Sequence, residues 1–501
     1  MPEVLFGSIQ LCKMGAEIMF IGKIRRMTRI VTAIINEQSA GRQDEPLSSF
    51  EAEFGDRRND RPSYEAAAAP FRAPRCAPLR CAMLALLALL AAALLALLGA
   101  RRAAAPGAWV PLKRWALGGL LLLYGAWKQR AACGGAAEPR RPRLLSPDPH
   151  ALDSVYFTGF AETNKSFVIA RLAKRPNGIC EMWLFLRVDG IGEFEHPQHP
   201  NMMVNDESEE IWSGGGLTIE YLELQARWKI SFNGFLRKGP YRQQWSEEEG
   251  ELVPVKFSFH WENSTEVFSF RDDSHPSTFA HAFAQEPWTI EFFQRVKKQR
   301  EQHFRHEQWG QSVGEIEIKN HEKTKLSLKG VRSHSYGVRN WSEIYRYVMI
   351  LARFEDGTAA HLTVINMPAT TTNLTVGYVF FPDGKKAGIE WSNASLAEMA
   401  DDGVIKDEYR VSFTAGGKHF DVSARLDKQA CPVVYNGLTG RGVFHECIAD
   451  FQLDGLTQGW GLAEFYYRDE AAQRVPNLQL GSNTEGPDLS SLHLVSNGSL
   501  L

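Results

Sequence analysis

Apolar and polar side chains alternate with a period of two from about residue 150 onward. Phe257, Phe259 and Trp261 alternate with polar residues, and the same pattern recurs at residues 408–413 and 419–424. Such alternation indicates a β-strand with one buried face. The pattern therefore predicts that this part of the chain is a β protein.

Short turn sequences separate the alternating runs: Asp356-Gly357, Pro382-Asp383-Gly384, Gly416-Gly417 and Asn436-Gly437. These residues supply the positive φ angles that hairpin turns require. From Tyr345 to Tyr467 the runs predict about eight strands in a meander. That number favours a closed up-and-down β-barrel or a tightly curled sheet.

Residues 152–330 contain a second and less regular set of predicted strands: Ser166–Ala173, Glu181–Val188, Leu217–Gln225, Trp228–Phe235 and Val253–Trp261. The segment 286–310 differs, because Trp288, Ile290 and Phe293 have nearly helical spacing and the polar residues that follow include no proline. The expected fold is mainly β, with two antiparallel barrels and one helix in the first.

An apolar segment precedes the β region. Residues 81–100 are twenty residues without a charge, which is enough for a helix to cross a bilayer. We expect a membrane helix there, with residues 1–80 as a disordered or dispensable extension. Residues 115–127 form a second apolar stretch, which fits an interfacial segment or a short second span. A signal peptide beginning at Met83 is the alternative.

Six Asn-x-Ser/Thr sequons favour a lumenal or extracellular location for the β region: Asn164, Asn263, Asn340, Asn373, Asn393 and Asn497. Cys431 and Cys447 could pair in an oxidising compartment, or remain as buried thiols. The predicted organisation is a membrane anchor at 81–130, β domains at 150–340 and 341–475, and a flexible tail at 476–501.

Composition and motifs exclude several functions. The 501-residue chain has a net charge of −3, which gives no reason to expect nucleic acid as a partner. It has no GxGxxG, GxxxxGK[ST], HExxH or CxxC sequence. We therefore expect neither a cofactor nor a structural metal, and His334 with His445 lacks the spacing of metal ligands.

Candidate site residues are polar or aromatic groups that lie within apolar β segments: His334, Tyr336, Arg339, Trp341, Arg346, Glu446, Trp460 and Glu464. A charge facing the interior of a barrel is costly unless it is paired. Arg346 is a candidate partner for Glu446 or Glu464. Such a pair would be structural, or it would orient a ligand and transfer protons.

Four segments together resemble a known superfamily: "EQWGQSVGEIEI", "GVRSHSYGVRNW", "ARFEDGT" and "GWGLAEFYYR". In this order they resemble the tandem lipocalin-like proteins that include hydroxyneurosporene synthase, tocopherol cyclase and Diels–Alderases. The likeness is greatest to an uncharacterised branch, also found as the N-terminal part of animal proteins labelled phosphoenolpyruvate synthase. The resemblance covers residues 150–475. It does not imply phosphoenolpyruvate synthase activity for this chain.

The resemblance implies two lipocalin-like barrels and an apolar ligand, such as a lipid or an isoprenoid. The enzymes of the superfamily have a DHSWG-like motif where this chain has residues 333–337. His334, Ser335 and Gly337 match, whereas Ser333 replaces the acid and Tyr336 replaces the tryptophan. A serine hydroxyl is a poor acid, so the change weakens the implied hydratase or cyclase activity.

Three functions follow from these observations. The first is a membrane-anchored protein that binds an apolar ligand, which His334 and Tyr336 contact while Arg339 and Trp341 form the framework. The second is an acid-catalysed isomerase, cyclase or hydratase, in which Glu343, Glu446 or Glu464 takes the place of the missing acid. The third is a structural or interaction module whose interior is filled.

Overall fold

The computed structural model describes residues 110–131, 138–139, 142–144, 146–223, 225–241, 250–401, 403–436 and 442–468. The helices are α1 (Val110–Ala131), α2 (Pro276–Gln285) and α3 (Ile290–Gln302). The strands before residue 340 are β1 (Ala151–Phe160), β2 (Phe167–Arg175), β3 (Ile179–Val188), β4 (Gly192–Glu195), β5 (Met203–Asn205), β6 (Trp212–Gly214), β7 (Leu217–Glu223), β8 (Arg227–Lys238), β9 (Glu251–Asn263), β10 (Phe268–Ser269), β11 (His303–Ile318) and β12 (Thr324–Val338). The later strands are β13 (Arg346–Phe354), β14 (Ala359–Met367), β15 (Thr371–Phe380), β16 (Lys386–Ser392), β17 (Glu408–Ala415), β18 (Lys418–Leu426), β19 (Val433–Asn436), β20 (Gly442–Leu453) and β21 (Thr457–Arg468).

Eight strands close into a first barrel, here called barrel 1. They follow the order β11-β12-β1-β2-β3-β4-β8-β9, and β9 pairs with β11 to complete the ring. The pairings around the ring are antiparallel. Strands β5, β6, β7 and β10 extend the same sheet beside the ring.

Eight later strands close into barrel 2, in the order β13-β14-β15-β16-β17-β18-β20-β21. The pairing of β18 with β20 closes one side, and that of β13 with β21 closes the other. These pairings are also antiparallel, and the short strand β19 lies beside β20. The prediction of two lipocalin-like antiparallel β-barrels is confirmed.

Each barrel interior is filled by its own side chains. Phe257, Phe259 and Trp261, whose alternation predicted a strand, lie in the core of barrel 1. Phe413 and Phe465 lie in the corresponding core of barrel 2. An eight-stranded barrel is just wide enough for side chains to fill it, and each buried side chain of this size contributes about 1.5–3 kcal/mol.

Several strands are buried on both faces. All ten residues of β1 are buried, because Val155 and Phe157 point into barrel 1 while Tyr156 and Phe160 point outward. The outward residues belong to a third apolar cluster, which contains side chains of both barrels. Trp183 of barrel 1, for example, lies 5.0 Å from Phe444 of barrel 2 between ring centroids. The two barrels therefore pack against each other along these faces.

The predicted single helix at 286–310 was wrong in number and length. Two helices occur before β11: α2, which begins at Pro276 and ends before the predicted segment, and α3, which lies within it. The hydroxyl of Thr289 accepts a hydrogen bond from the Phe292 amide, 3.1 Å away, and begins α3. From His303 onward the chain is strand β11 instead, since it pairs with β12 on one side and β9 on the other.

The predicted membrane helix at 81–100 lies outside the residues that the structure describes. The second apolar stretch, residues 115–127, lies within α1. In the described part of the chain, no helix is long and apolar enough to cross a membrane. Of the two states expected for Cys431 and Cys447, the structure has the disulfide.

Candidate functional site

A cavity lies between the two barrels, where their outward faces meet. It holds about 50 Å³, which is room for about three to five water molecules. Its wall combines hydroxyl, guanidinium, carboxyl and aromatic groups: Ser154, Tyr156, Arg171, Trp183, Arg305, Ser333, Ser335, Arg339, Trp341, Tyr347, Met349 and Glu464. This inter-barrel cavity is the candidate functional site.

Strand register brings these side chains together. Tyr156 of β1 stands opposite Ser333 of β12, so both side chains lie on the outer face of barrel 1. Met349 of β13 stands opposite Glu464 of β21, on the outer face of barrel 2. Ser333, which occupies the acidic position of the family motif, therefore lies on the cavity wall. The carboxyl group at the cavity comes from Glu464 of the other barrel.

Glu446 and Glu464 stand directly opposite each other on the paired strands β20 and β21. The hydroxyl of Tyr156 donates a hydrogen bond to Glu446 Oε2 at 3.1 Å. The hydroxyl of Tyr347 donates to Glu464 Oε1. Burial raises the pKa of Glu446 to about 8 and, against the opposing effect of Arg305, that of Glu464 to about 7. Two carboxyl groups that hold protons near neutral pH therefore lie side by side.

Guanidinium groups line the other side of the cavity. Arg171 Nη2 lies 2.7 Å from Glu181 Oε2, and Arg305 Nε donates to Glu307 Oε1 at 2.8 Å. The side chain of Arg339 contacts the imidazole of His303 instead, with Nη2 2.8 Å from Nε2.

Burial, together with nearby Arg305 and Arg171, lowers the pKa of Arg339 to about 9. Burial and the charge of Arg339 also keep the pKa of His303 well below its ordinary value, so His303 is a neutral acceptor.

A buried hydrogen-bond network continues from Arg305 into barrel 2. Oε2 of Glu307 accepts from Tyr378 at 2.8 Å and lies 2.7 Å from Nδ1 of His361. The other ring nitrogen of His361 lies 2.7 Å from the hydroxyl of Thr363. Burial opposes the ionisation of Glu307, but Arg305 and His361 hold its pKa below the ordinary value.

His334 was predicted to contact the ligand, but its side chain points into barrel 1, away from the cavity. Its Nε2 lies 2.9 Å from Asp153 Oδ1, and its Nδ1 lies 2.8 Å from Glu138 Oε1. Arg332 also donates to Glu138. Burial alone would lower the pKa of His334, but the two carboxylates outweigh it and raise the pKa to about 9. Tyr336 lies beside this cluster, with its ring tilted against that of His334 and the two ring centroids 5.1 Å apart.

The predicted pairing of Arg346 with Glu446 or Glu464 was wrong. Arg346 points into barrel 2, because it shares the inward phase of β13 with Val348, whereas the two glutamates point outward. Its guanidinium donates to the Leu396 carbonyl at 2.9 Å and also to the Met399 carbonyl and the Asp401 carboxylate.

Of the eight predicted site residues, the structure places four at or beside the inter-barrel cavity: Arg339, Trp341, Glu464 and Glu446. Trp460 does not line it and is a partly buried residue of the third apolar cluster. Sequence reasoning missed Arg171, Arg305, Tyr156 and Tyr347. One available signal was a cation such as Arg171 in an otherwise apolar strand, in "FVIARLAKR".

Among the residues that the structure describes, no three histidine, cysteine or carboxylate side chains are grouped as metal ligands. The cavity wall itself offers acid, hydroxyl and guanidinium groups. Neutral carboxyl groups can donate protons, and guanidinium groups can stabilise negative charge that develops on a bound molecule.

Comparison with solved structures found similar folds at low sequence identity. A candidate AttH protein from Nitrosomonas europaea is 12% identical, with a TM-score of 0.39 over 67% of this chain and 98% of that chain. Kievitone hydratase from Nectria haematococca is 10% identical, with a TM-score of 0.36 over 66% and 93%. CghA with Sch210972 is 10% identical, with a TM-score of 0.41 over 67% and 94%. A search of curated proteins found no match.

The fold and the site define the protein as a double β-barrel protein with an acidic and cationic cavity between two lipocalin-like barrels. The chain belongs to DUF8627, a family of unknown function, whose model matches residues 137–467. That match spans both barrels and the inter-barrel cavity.

Proposed function

We propose that the protein is a proton-transfer enzyme that acts at the inter-barrel cavity, as a hydratase or an isomerase. The observation that carries the proposal is the opposed pair Glu446 and Glu464, on neighbouring strands with raised pKa values. Between pH 7 and 8 such a pair holds an acid and a base side by side. Pairs of titratable groups whose surroundings separate their pKa values are typical of acid–base catalysis.

The substrate that suits these acids has a double bond activated by a carbonyl group. A carboxyl group with a pKa near 7 is too weak to protonate an isolated alkene, but it can protonate an enol or enolate at carbon. The guanidinium of Arg339 can stabilise the enolate, because negative charge develops there during the reaction. Trp183, Trp341 and Met349 supply an apolar wall for the remainder of the substrate.

In the hydratase direction, water attacks the β-carbon of the substrate and one carboxyl group gives its proton to the α-carbon. The proton that the attacking water releases passes to the resulting carboxylate, which restores the enzyme. In the isomerase direction, the carboxylate removes a proton from one carbon and its neighbour returns one to another. Neither direction needs an oxidant, a reductant or a metal ion.

The test is deuterium incorporation from D₂O into neutral carbonyl compounds, with butanone and cyclohexenone as probes followed by NMR. We expect the wild type to exchange their α-protons faster than buffer does. Glu464→Gln should lose about a hundredfold of that rate, since it removes the proton donor and keeps the shape. The matched control is Glu322→Gln, at an exposed position in the loop between β11 and β12. A wild-type rate equal to that of buffer, or a Glu464→Gln rate equal to wild type, would refute the proposal.

The proposal places the ligand between the barrels. The barrel cores are filled by large side chains such as Trp228, Trp261 and Phe465, so an apolar ligand inside a barrel receives no support from the packing. The hydroxyl groups of Tyr156 and Tyr347 donate hydrogen bonds to the two glutamates and can pass protons to them.

We also propose that residues 81–100 anchor the barrels to a membrane, with the barrels on its lumenal or extracellular side. Support comes from twenty uncharged residues, the sequons and the Cys431–Cys447 disulfide, which suits an oxidising compartment. Carbonate extraction and digestion with an endoglycosidase test the proposal. A protein that carbonate releases, and whose mass the glycosidase leaves unchanged, would contradict it.

A further inference from the structure

The four guanidinium groups at and beside the inter-barrel cavity outnumber their ionised partners. Arg171 and Arg175 share a single carboxylate, that of Glu181, with N–O distances of 2.7 and 2.8 Å. Arg305 has Glu307. Arg339 contacts no carboxylate among the residues that the structure describes, and its partner is the neutral imidazole of His303.

Two buried donors of cavity-lining residues lack a hydrogen-bond partner within the described residues, Nη1 of Arg171 and Nε1 of Trp341. The side chain of Arg171 is 5% exposed, and the residue lines the cavity with its guanidinium over the ring of Trp183. A buried charged donor without an acceptor is costly, so this geometry is expected where a ligand supplies the acceptor.

Glu464 on the cavity wall and the neighbouring Glu446 do not supply the missing charge. The pKa values of Glu446 and Glu464, about 8 and about 7, leave both mostly protonated at pH 6. Tyr156 and Tyr347 face them with their hydroxyls, and those phenols are neutral. Two positive charges therefore remain without ionised partners below neutral pH.

We infer that the inter-barrel cavity binds a small carboxylate, so that the substrate of the proposed enzyme carries a carboxylate group. The inference builds on the proposed function, because it names the substrate class of the same cavity. A planar carboxylate accepts two parallel hydrogen bonds from a guanidinium, and Ser154, Ser333 and Ser335 offer hydroxyl donors nearby.

The cavity can admit such a ligand at its arginine side. The side chain of Arg305 is 23% exposed and Arg339 is partly exposed, whereas the other lining residues are buried. A carboxylate head group would fit inside, and a longer substrate would extend past these two arginines.

Anion binding is coupled to proton uptake in this arrangement. Glu464 faces Arg305, Arg171, Arg339 and Glu307 as well as Tyr347. A bound carboxylate adds negative charge, which raises the pKa of both glutamates further and favours their protonated forms. Affinity should therefore be highest below pH 7 and should fall as pH rises through 8, when the two glutamates ionise and neutralise the arginines themselves.

The experiment titrates the full chain with acetate at pH 6 and at pH 9 and follows tryptophan fluorescence, since Trp183 and Trp341 line the cavity. Acetamide is the neutral isostere, and inorganic phosphate is the competing anion. We expect acetate to bind at pH 6, acetamide to bind at least about tenfold more weakly, and acetate affinity to fall at pH 9. Calorimetry in two buffers of different ionisation enthalpy should show proton uptake at pH 7.5.

Arg339→Gln should weaken acetate binding by about ten- to hundredfold, because a hydrogen bond to a charged group is lost. Its thermal stability should be equal to or above that of wild type, since one of several like charges is removed. Arg227→Gln is the control, on a side chain that is 56% exposed in the same barrel. This comparison separates a binding defect from a folding defect.

Three results would overturn the inference: equal binding of acetamide and acetate, binding of phosphate without acetate, or acetate binding that Arg339→Gln leaves unchanged. If acetate binds as expected but the neutral probes take up deuterium no faster than in buffer, the carboxylate site is supported and the enzymatic function is refuted. If the neutral probes exchange their protons for deuterium and acetate does not bind, the enzymatic function is supported and the carboxylate substrate class is refuted.

Discussion

His361 and Glu307 join the two barrels, with Nδ1 of the imidazole 2.7 Å from Oε2 of the carboxylate. His361 lies on β14 of barrel 2, Glu307 lies on β11 of barrel 1, and both side chains are fully buried. The ring also reaches Thr363. A buried carboxylate depends on its full set of donors, because water cannot replace any of them. This contact therefore fixes one barrel against the other.

His361→Phe should destabilise the protein. The phenyl ring keeps the packing against Phe270 and Tyr378 but removes both hydrogen bonds of the imidazole. We expect the free energy of unfolding to fall by about 2–4 kcal/mol, measured by urea denaturation. His419→Phe, at an exposed position of β18, is the control and should change the free energy of unfolding by less than about 0.5 kcal/mol. Equal stability of His361→Phe and wild type would mean that the contact contributes nothing.

His334 should make stability depend on pH. Its pKa is raised to about 9 in the folded protein, so its contribution is fully present below about pH 6.5 and is lost as pH rises through 9. The gap in unfolding free energy between wild type and His334→Gln should narrow by about 3 kcal/mol between pH 6 and pH 10. Urea denaturation at the two pH values measures it. A gap that stays constant or widens would show that Glu138 and Asp153 do not hold the imidazole protonated.

The period-two pattern was enough to predict the strands that have one solvent-facing side. The predicted strand Val253–Trp261 lies within β9, where buried and exposed residues alternate. Strands β1 and β12 were not predicted, although they form the centre of the structure. Strand β1 is buried throughout because its outward face packs at the junction between the barrels, so apolar residues occupy both phases. In β12 the residues 331–337 are also buried on both faces, but polar residues such as Arg332 and Ser333 occupy both phases. Neither strand therefore shows a clear alternation over its whole length.

The candidate site was predicted only in part, because it also lies at the junction between the barrels. Glu446 and Glu464 stand out in the sequence because carboxyl groups are rare in apolar strands. Their arginine neighbours could not be assigned to them, since Arg171 and Arg305 lie on strands of the other barrel. The role of Arg346 depends on whether its side chain points into barrel 2 or outward toward the cavity. A polar residue in a strand does not by itself show which of the two faces it occupies.

Arg346→Met should destabilise barrel 2 and leave the inter-barrel cavity intact. The guanidinium binds two backbone carbonyls, those of Leu396 and Met399, and these would lose their donor. We expect the free energy of unfolding to fall by about 2–4 kcal/mol, with acetate affinity unchanged at pH 6. Arg410→Met, on an exposed position of β17, is the matched control. A loss of acetate binding in Arg346→Met would show that Arg346 contributes to the ligand site.

The Cys431–Cys447 disulfide should stabilise barrel 2 against unfolding. It closes a loop with a sequence separation of 16, for which the loss of chain entropy in the unfolded state corresponds to about 3 kcal/mol. The double variant Cys431→Ala/Cys447→Ala should be less stable by that amount, and wild type in a reducing agent should match it. Cys180→Ala is the control, since Cys180 is a buried free thiol in the described part of the chain. If the reducing agent leaves the urea midpoint of wild type unchanged, the disulfide makes no contribution to the stability of the barrel.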